Sequence, residues 1–584
     1  MTVELLKDQH ILILGLGASG LAMARWCVRC GARVTVADTR EAPPQLATLR
    51  SELPAVEFVS GAFAASLIEG GDIRAVFKSP GLTPASVAPL WSAAQACGLW
   101  VGGELDLLAR ALADLQTSQG YKPKVLAITG TNGKTTVSSL TGQLVERAGK
   151  RVAVAGNIGP TLLDTLSERL DAGELPEVWV LEFSSFQLDG VQGFEPTAAV
   201  VLNLTQDHLD WHGDMPAYGA AKARIFGQTG LMVLNREDPA VMAMLSAAGP
   251  SQGAKAPLGL TLAAPCLPAQ AGTSGRAVAS RIGTSSAALA SSAPAEAGAV
   301  ASVGARLSPP PQKGKAFQAG VVREHLTFGA DMPQRPGDFG IEQVNGMAWL
   351  VRAQEADETR KKRKGDEEEE LYIQRLMPAD ALRIRGRHNA TNALAALALA
   401  QAAGCSLGPI LYGLREYRGE PHRVESVGVI DGVEYFDDSK GTNVGATVAA
   451  LSGLGEDAGE SGNANAQRKL VVILGGDGKG QDFAPLAAPV GRHARAAVLI
   501  GRDAPAIRAT LQGSGVPLLD ADSMAQAVAV ARQQAHPGDA VLMSPACASF
   551  DMFNNYEHRA QVFREAVTAL AQDAGAVASV GAKP

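Results

Sequence analysis

Short apolar runs that break into glycine, serine, asparagine, aspartate or lysine recur along the whole chain. Such runs predict buried strands of a parallel sheet whose polar tips gather at one edge. The first is Ile11 to Leu14, followed by Gly15, Gly17 and Gly20, a helix, and a second strand that ends at Asp38. Further strands are expected at Ala75 to Phe77 and Trp100 to Val101, with Ser79 to Leu82 as the loop after the former. Val125 to Ile128, Val178 to Leu181 and AAVVLNL repeat the pattern in the middle of the chain. It returns later in EYFDDSKGTN, KLVVILGGDGKG, AAVLIG and AVLMSPACASFDMF. Helical periodicity fills the gaps: Val137, Leu140, Leu144, Val145 and Ala148 share one face, and Gly149 stops that helix. The alternation predicts an α/β protein built on mostly parallel sheets.

One stretch carries the strongest chemistry. In VLAITGTNGKTT a strand enters a glycine turn, Gly130 to Gly133, and leaves as a helix. Backbone N–H groups and the positive end of the helix dipole converge there, which makes an anion site. Lys134 adds a mobile charge for outer phosphates, and the hydroxyl of Thr135 or Thr136 can ligate Mg²⁺. The usual phosphate loop has a further glycine where Ile128 stands, so this is a shortened variant. Glu182, at the tip of the next strand but one, is a carboxylate beside the loop and suits the same Mg²⁺. Asn157, and the trio Asp207, His208 and Asp210, occupy further strand exits. Lys222 lies in a helical run, AYGAAKARIF, and reads as a solvated helix lysine. Asn389 and Asn392, on the first turn of an alanine- and leucine-rich helix, can cap that helix or bind a base or ribose edge. In the last third, Asp438, Lys440, Thr442, Lys479 and Ser549 fall along one crevice of a parallel sheet.

The GLGASG turn with Asp38 is the dinucleotide fingerprint, and alone it would suggest a nicotinamide-dependent oxidoreductase. The same backbone accepts any diphosphate, and Thr39 and Arg40 suit a uridine or a phosphate as well as a ribose. Net charge of −7 argues against a nucleic-acid surface, and no apolar run approaches a membrane span. Six cysteines scattered over 584 residues suit a reducing, cytosolic setting, with Cys27 and Cys30 as buried, inert thiols. Length predicts three or four domains. The boundaries fall at 1–120, 121–419 and 420–584, with a disordered insertion of Ala, Ser, Gly and Pro from Ser246 to Lys315. A charge-balanced loop is expected from Asp357 to Leu371 and another polar one from Gly455 to Gln467.

GTNGKTT, LEFSSFQL, NLTQDHLD, the lysine of AAKARIF, HNATN, PHR, DDSKGTN, GGDGKG and SPACASFD occur in the order found in the Mur ligase family, which the chain resembles over nearly its whole length. DDSKGTN and SPACASFD are most similar to the branch that adds D-glutamate to UDP-N-acetylmuramoyl-L-alanine. The resemblance implies a Rossmann-like UDP-binding domain, a central P-loop-type ATPase domain and a Rossmann-like amino-acid domain in a cytoplasmic monomer. It implies ATP contacts from Gly130, Thr131, Asn132, Gly133, Lys134, Thr135, Thr136, Asn389, Asn392, Arg423 and Asp438. Thr135, Glu182, His208 and Lys222 would attend Mg²⁺, with Lys222 carbamylated and so no bystander; Lys134, His208 and Lys222 form the catalytic set. Ala18, Ser19, Thr39, Arg40, Asn157 and His208 would meet the UDP-sugar, and Lys440, Thr442, Lys479, Ser549, Phe550 and Tyr556 the D-glutamate. Ala18 and Phe550 depart from the leucines expected there. A non-catalytic nucleotide-binding regulator would not need Glu182, His208 and Lys222 together. Another amide ligase of the same fold, such as a folylpolyglutamate synthetase, is the nearest enzymatic rival.

Overall fold

The computed structural model describes residues 6–247, 323–356, 371–456 and 468–574, which form three sheets. The first has five parallel strands in the order Glu57–Ser60, Arg33–Asp38, His10–Leu14, Ile73–Lys78 and Trp100–Gly102. The chain leaves His10–Leu14 toward one edge and later returns toward the other, so a crevice opens between His10–Leu14 and Ile73–Lys78 at the switch.

The central sheet has nine strands. Its parallel part runs Val152–Gly156, Val178–Glu182, Lys124–Thr129, Ala198–Val201, Leu231–Asn235, His325–Phe328 and Phe339–Val344. Met347–Glu355 and Leu371–Pro378 extend it antiparallel. Val178–Glu182 is buried at every position, as a strand covered on both faces must be. The third sheet has six strands, parallel except where Glu425–Ile430 pairs with Val433–Asp437. The expected α/β architecture is present in all three.

Packing joins these sheets unequally. One continuous apolar cluster contains Ile11, Trp26, Phe77 and Leu108 from the first sheet's layers and Val125, Leu166, Trp179 and Leu181 from the central sheet's. Helix Ala18–Arg29 lies against Leu162–Ala172, with Arg25 on Asp164 at 3.2 Å and Arg29 on Asp171 at 2.7 Å. Helix Arg387–Ala402 is buried along nearly its full length on the other face of the central sheet. The third sheet keeps two apolar clusters of its own. Cys27 and Cys30 are buried free thiols, and desolvation pushes Cys30 up to about 12.

Most of the insertion expected at Ser246 to Lys315 lies outside the described residues, but Ser246 ends a helix, Pro239–Ala247. Leu371 likewise begins a strand and Gly455 belongs to helix Val444–Glu456, while residues 357–370 and 457–467 of the two expected loops lie outside the described residues. Among the described residues no helix is long and apolar enough to cross a membrane.

Candidate active site

Strand Lys124–Thr129 delivers the glycine turn, and helix Lys134–Arg147 begins at its far side. Gly130 has φ +154° and Gly133 φ +85°; a Cβ on Gly133 would stand 2.8 Å from Asn392 Oδ1. Glycine is therefore required for the loop to approach the buried helix behind it. Lys134 Nζ donates to the carbonyls of Gly130 and Thr131, at 3.0 and 2.8 Å, so its charge sits over the loop's hollow. Thr136 is buried, and Thr131 Oγ1 meets Tyr218 Oη at 3.1 Å.

Glu182 is 1% exposed. Asn157 Nδ2 donates to its Oε1 at 3.0 Å, while Oε2 is buried with no hydrogen-bond partner. An orphaned carboxylate oxygen in such a place is costly unless a cation meets it. The donor chemistry beside it, a hydroxyl at Thr135 and an imidazole at His208, fits a Mg²⁺-type ion with mixed protein and phosphate ligands. His208 itself is in the left-handed region, φ 54°, and its ring packs edge-on against Phe186 at 4.6 Å. Desolvation, with Lys134 and Lys222 as neighbouring cations, lowers its pKa.

Lys222 corrects the reading of a solvated lysine. It is 1% exposed, and Nζ donates to Gly130 O at 2.8 Å and Thr129 Oγ1 at 3.3 Å. Tyr218, four residues back on the same helix, presents its ring 4.8 Å from Nζ. Burial, and then Lys134, drive its pKa well below the ordinary lysine value. Burial of this kind disfavours the charged form of an amine, so the neutral form is favoured more than on an ordinary surface lysine.

The third sheet meets this loop through polar contacts. Arg423 donates to Thr135 Oγ1 at 2.6 Å. Asn132 and Asn443 exchange two amide hydrogen bonds, at 3.2 and 3.1 Å, and Asn443 Oδ1 also accepts from Ala446 N at 2.9 Å, capping helix Val444–Glu456. Gly445 allows this approach, since a Cβ there would fall 2.7 Å from Thr205 Oγ1. Between the two sheets lies a cavity of about 380 Å³, lined among others by Asn132, Gly133, Thr136, Asn389, Asn392, Arg423, Asp438 and Lys440. That is room for a nucleoside. Asn389 and Asn392 hydrogen-bond to Arg385 O and to each other, with neither capping the helix, which leaves their edges toward the cavity. Asp438 is buried against Ser544 Oγ at 2.6 Å, and desolvation raises its pKa to about 7.

Of the residues expected around D-glutamate, Lys440 lines the cavity and sets its ammonium 5.0 Å from the Tyr556 ring. Ser549 is buried and Thr442 half-buried, while Lys479 and Phe550 are exposed, and none of the four lines the cavity. The residues expected around the UDP-sugar divide between two sheets. Ala18 and Ser19 start helix Ala18–Arg29, Thr39 and Arg40 follow Arg33–Asp38, and Asn157 and His208 stand on the central sheet. Asp38 is not free for a ribose: it accepts Leu16 N at 2.7 Å and holds the Arg40 guanidinium at 2.8 Å, which keeps its pKa down at about 2.

Sequence reasoning missed Asn203, Tyr218 and Asn443. Asn203 Oδ1 accepts Asn132 N at 2.9 Å and its amide returns a bond to Asn132 O at 3.1 Å, fixing the turn. The four-residue spacing of Tyr218 and Lys222 was the available signal for Tyr218.

A glycine turn that can cradle phosphates, a buried carboxylate with one oxygen unpartnered and converging lysines from two sheets define a nucleotide-dependent transferase or ligase site. The chain belongs to the Mur ligase family: residues 9–103 match the Mur ligase MurD-like, N-terminal domain, 128–255 the Mur ligase middle domain, and 422–547 the Mur ligase, glutamate ligase domain. It is 64% identical over 579 residues to the UDP-N-acetylmuramoylalanine--D-glutamate ligase of Albidiferax ferrireducens, covering 99% of each chain. The ligases of the same name from a Polaromonas species and from Ralstonia nicotianae are 57% and 50% identical, each aligned over 98% of this chain and 99% of their own.

Proposed function

We propose that this chain is an ATP-dependent amide ligase that joins D-glutamate to UDP-N-acetylmuramoyl-L-alanine, releasing ADP and phosphate, in the cytoplasmic synthesis of a peptidoglycan precursor. The observation that carries this reading is the gathering of Lys134, Lys222 and Arg423 near Glu182, whose Oε2 has no partner, beside a nucleotide-sized cavity that Arg423 and Gly133 line. End-to-end identity to ligases of that name supports the choice of substrates.

A carboxylate is a poor electrophile, so the alanyl carboxylate of the acceptor first attacks the γ-phosphorus of ATP. ADP departs and an acyl phosphate remains. The D-glutamate amine then attacks the carbonyl carbon, loses a proton, and the tetrahedral adduct expels phosphate to leave the amide. Gly130 to Thr136 cradle the phosphates, while Lys134 and Arg423 offset the repulsion between two anions. Glu182, His208, Thr135 and a carbamylated Lys222 would hold Mg²⁺, which neutralises phosphate charge in such sites. The neutral amine of Lys222 would add CO₂ and release one proton, turning an awkward buried cation into an anionic ligand. Asn389 and Asn392 take the adenosine, with Asp438 beside the nucleotide. Ala18, Ser19, Thr39, Arg40, Asn157 and His208 serve the UDP-sugar. Lys440, Thr442, Lys479, Ser549, Phe550 and Tyr556 serve the amino acid, the exposed members acting once the site closes over it.

The test is phosphate release from ATP across a panel of UDP-muramoyl acceptors and amino acids that includes both glutamate enantiomers. Turnover only with the L-alanyl acceptor and D-glutamate is expected. Turnover with a folate acceptor, or an NAD(P)H signal without ATP, would overturn the reading.

A further inference from the structure

We infer that Lys78 contacts the acceptor substrate directly and that its partner is the diphosphate of the UDP-sugar. The inference rests on the UDP-binding role proposed for the first sheet. Lys78 is the last residue of strand Ile73–Lys78, in register with Leu14, the residue before the glycine loop. It therefore stands on the rim of the switch-point crevice, where diphosphates meet this kind of sheet. Ser79, the next residue, ties that rim to the loop by donating to Gly15 O at 2.9 Å.

The side chain does not run out to solvent. Phe77 faces the cluster shared with the central sheet, so Lys78 points to the opposite face, where its ammonium lies 5.9 Å from the Trp91 ring. Across the gap Trp211 of the central sheet's His208 loop approaches to 5.8 Å. The ammonium is thus held between two indoles, half-buried, and among the described residues it makes no hydrogen bond or ion pair. The nearest carboxylates are already spoken for. Asp106 accepts Gly103 N and Gln192 N, both at 2.8 Å, and Asp189 accepts from Arg224 at 3.0 Å.

Cation–π contact offsets only part of the cost of stripping water from an ammonium. Desolvation accordingly lowers the Lys78 pKa. An anion arriving at the crevice would meet a pre-positioned, poorly hydrated cation whose three N–H donors lack an acceptor. With the UDP-sugar on the first sheet, the diphosphate is the anionic part of the acceptor that the backbone N–H groups of the glycine loop are suited to hold, and Lys78 stands on the same rim.

The experiment is calorimetric titration of the full chain with uridine, with UDP and with UDP-N-acetylmuramoyl-L-alanine, in wild type, Lys78→Met and Lys78→Arg. Lys78→Met should weaken UDP by about tenfold or more while uridine stays within about twofold, and Lys78→Arg should keep most of the UDP affinity. UDP binding unchanged in Lys78→Met would overturn the inference. So would equal losses for UDP and uridine, which mark a structural role, or a loss confined to the muramoyl-alanine ligand, which would assign Lys78 to the carboxylate. Failure of wild type to bind UDP at all would instead overturn the acceptor reading beneath it.

Discussion

The reciprocal amide pair between Asn132 and Asn443 is a contact whose energetic worth can be measured in isolation. It joins the phosphate loop to the first turn of a helix in another sheet, across 311 positions of sequence. Two neutral hydrogen bonds of ordinary length contribute a net of about 1–2 kcal/mol together. Asn443→Ala is the wrong perturbation, because it also removes the bond to Ala446 N that caps helix Val444–Glu456, itself worth about 1 kcal/mol. Asn443→Ser keeps a capping oxygen and deletes only the partner of Asn132. A double-mutant cycle of Asn132→Ala and Asn443→Ser, read as kcat/KM for ATP in phosphate release, should return a coupling of about 1–2 kcal/mol, or roughly 5- to 30-fold. The double variant should then be little worse than the poorer single. Single effects that multiply to within about twofold would show that the pair is not made in the state that turns over.

Lys134→Ala should abolish phosphate release while the melting temperature holds, since its charge is needed chiefly during phosphoryl transfer; near-normal turnover would remove the loop from the mechanism. Lys222→Ala should lose most activity, and acetate should restore part of it by filling the vacated space with a carboxylate, with no comparable effect on wild type. Severe loss without rescue by small acids would count against the carbamate. Glu104 is buried at the junction of the first two sheets and desolvation raises its pKa to about 7, from 4.5. The folded state then binds the proton more tightly, so stability present below about pH 4.5 is lost as pH rises toward 7. Glu104→Gln should flatten that fall and raise the melting temperature at pH 8; an unchanged pH profile would refute it.

The phosphate loop and Glu182 were legible in the sequence because their chemistry is local: a strand, a turn and a helix supply every backbone group that matters. Lys222 was not. Its helical neighbours are small and give no period, and its burial comes from the loop Thr129–Gly130, some ninety positions away. Asp38 misled for the opposite reason. Its spacing from the glycines suits a ribose, but Arg40, two residues on, claims both carboxylate oxygens. The edge strands Met347–Glu355 and Leu371–Pro378 stayed hidden because they are only partly buried and a charged segment separates them. Lys479 was expected along the crevice of the last sheet and Phe550 beside the amino acid, yet both are exposed, because they stand on loops beyond the strand ends rather than on the strands.

The apolar cluster that runs unbroken from the first sheet into the central one has a mechanical consequence. A hinge there would have to tear a hydrophobic seam, whereas the third sheet meets the central one through amides, a guanidinium and the packing of helix Val444–Glu456 on helix Arg387–Ala402. Among the described residues, bending therefore costs less between the central and third sheets than between the first and central ones. The glycine loop, Lys78, Asn157 and Glu182 then stay together on one rigid half of the molecule. Arg423, Lys440 and Tyr556 belong to the other half, and any change in the angle between the two resets their distance from the phosphate loop.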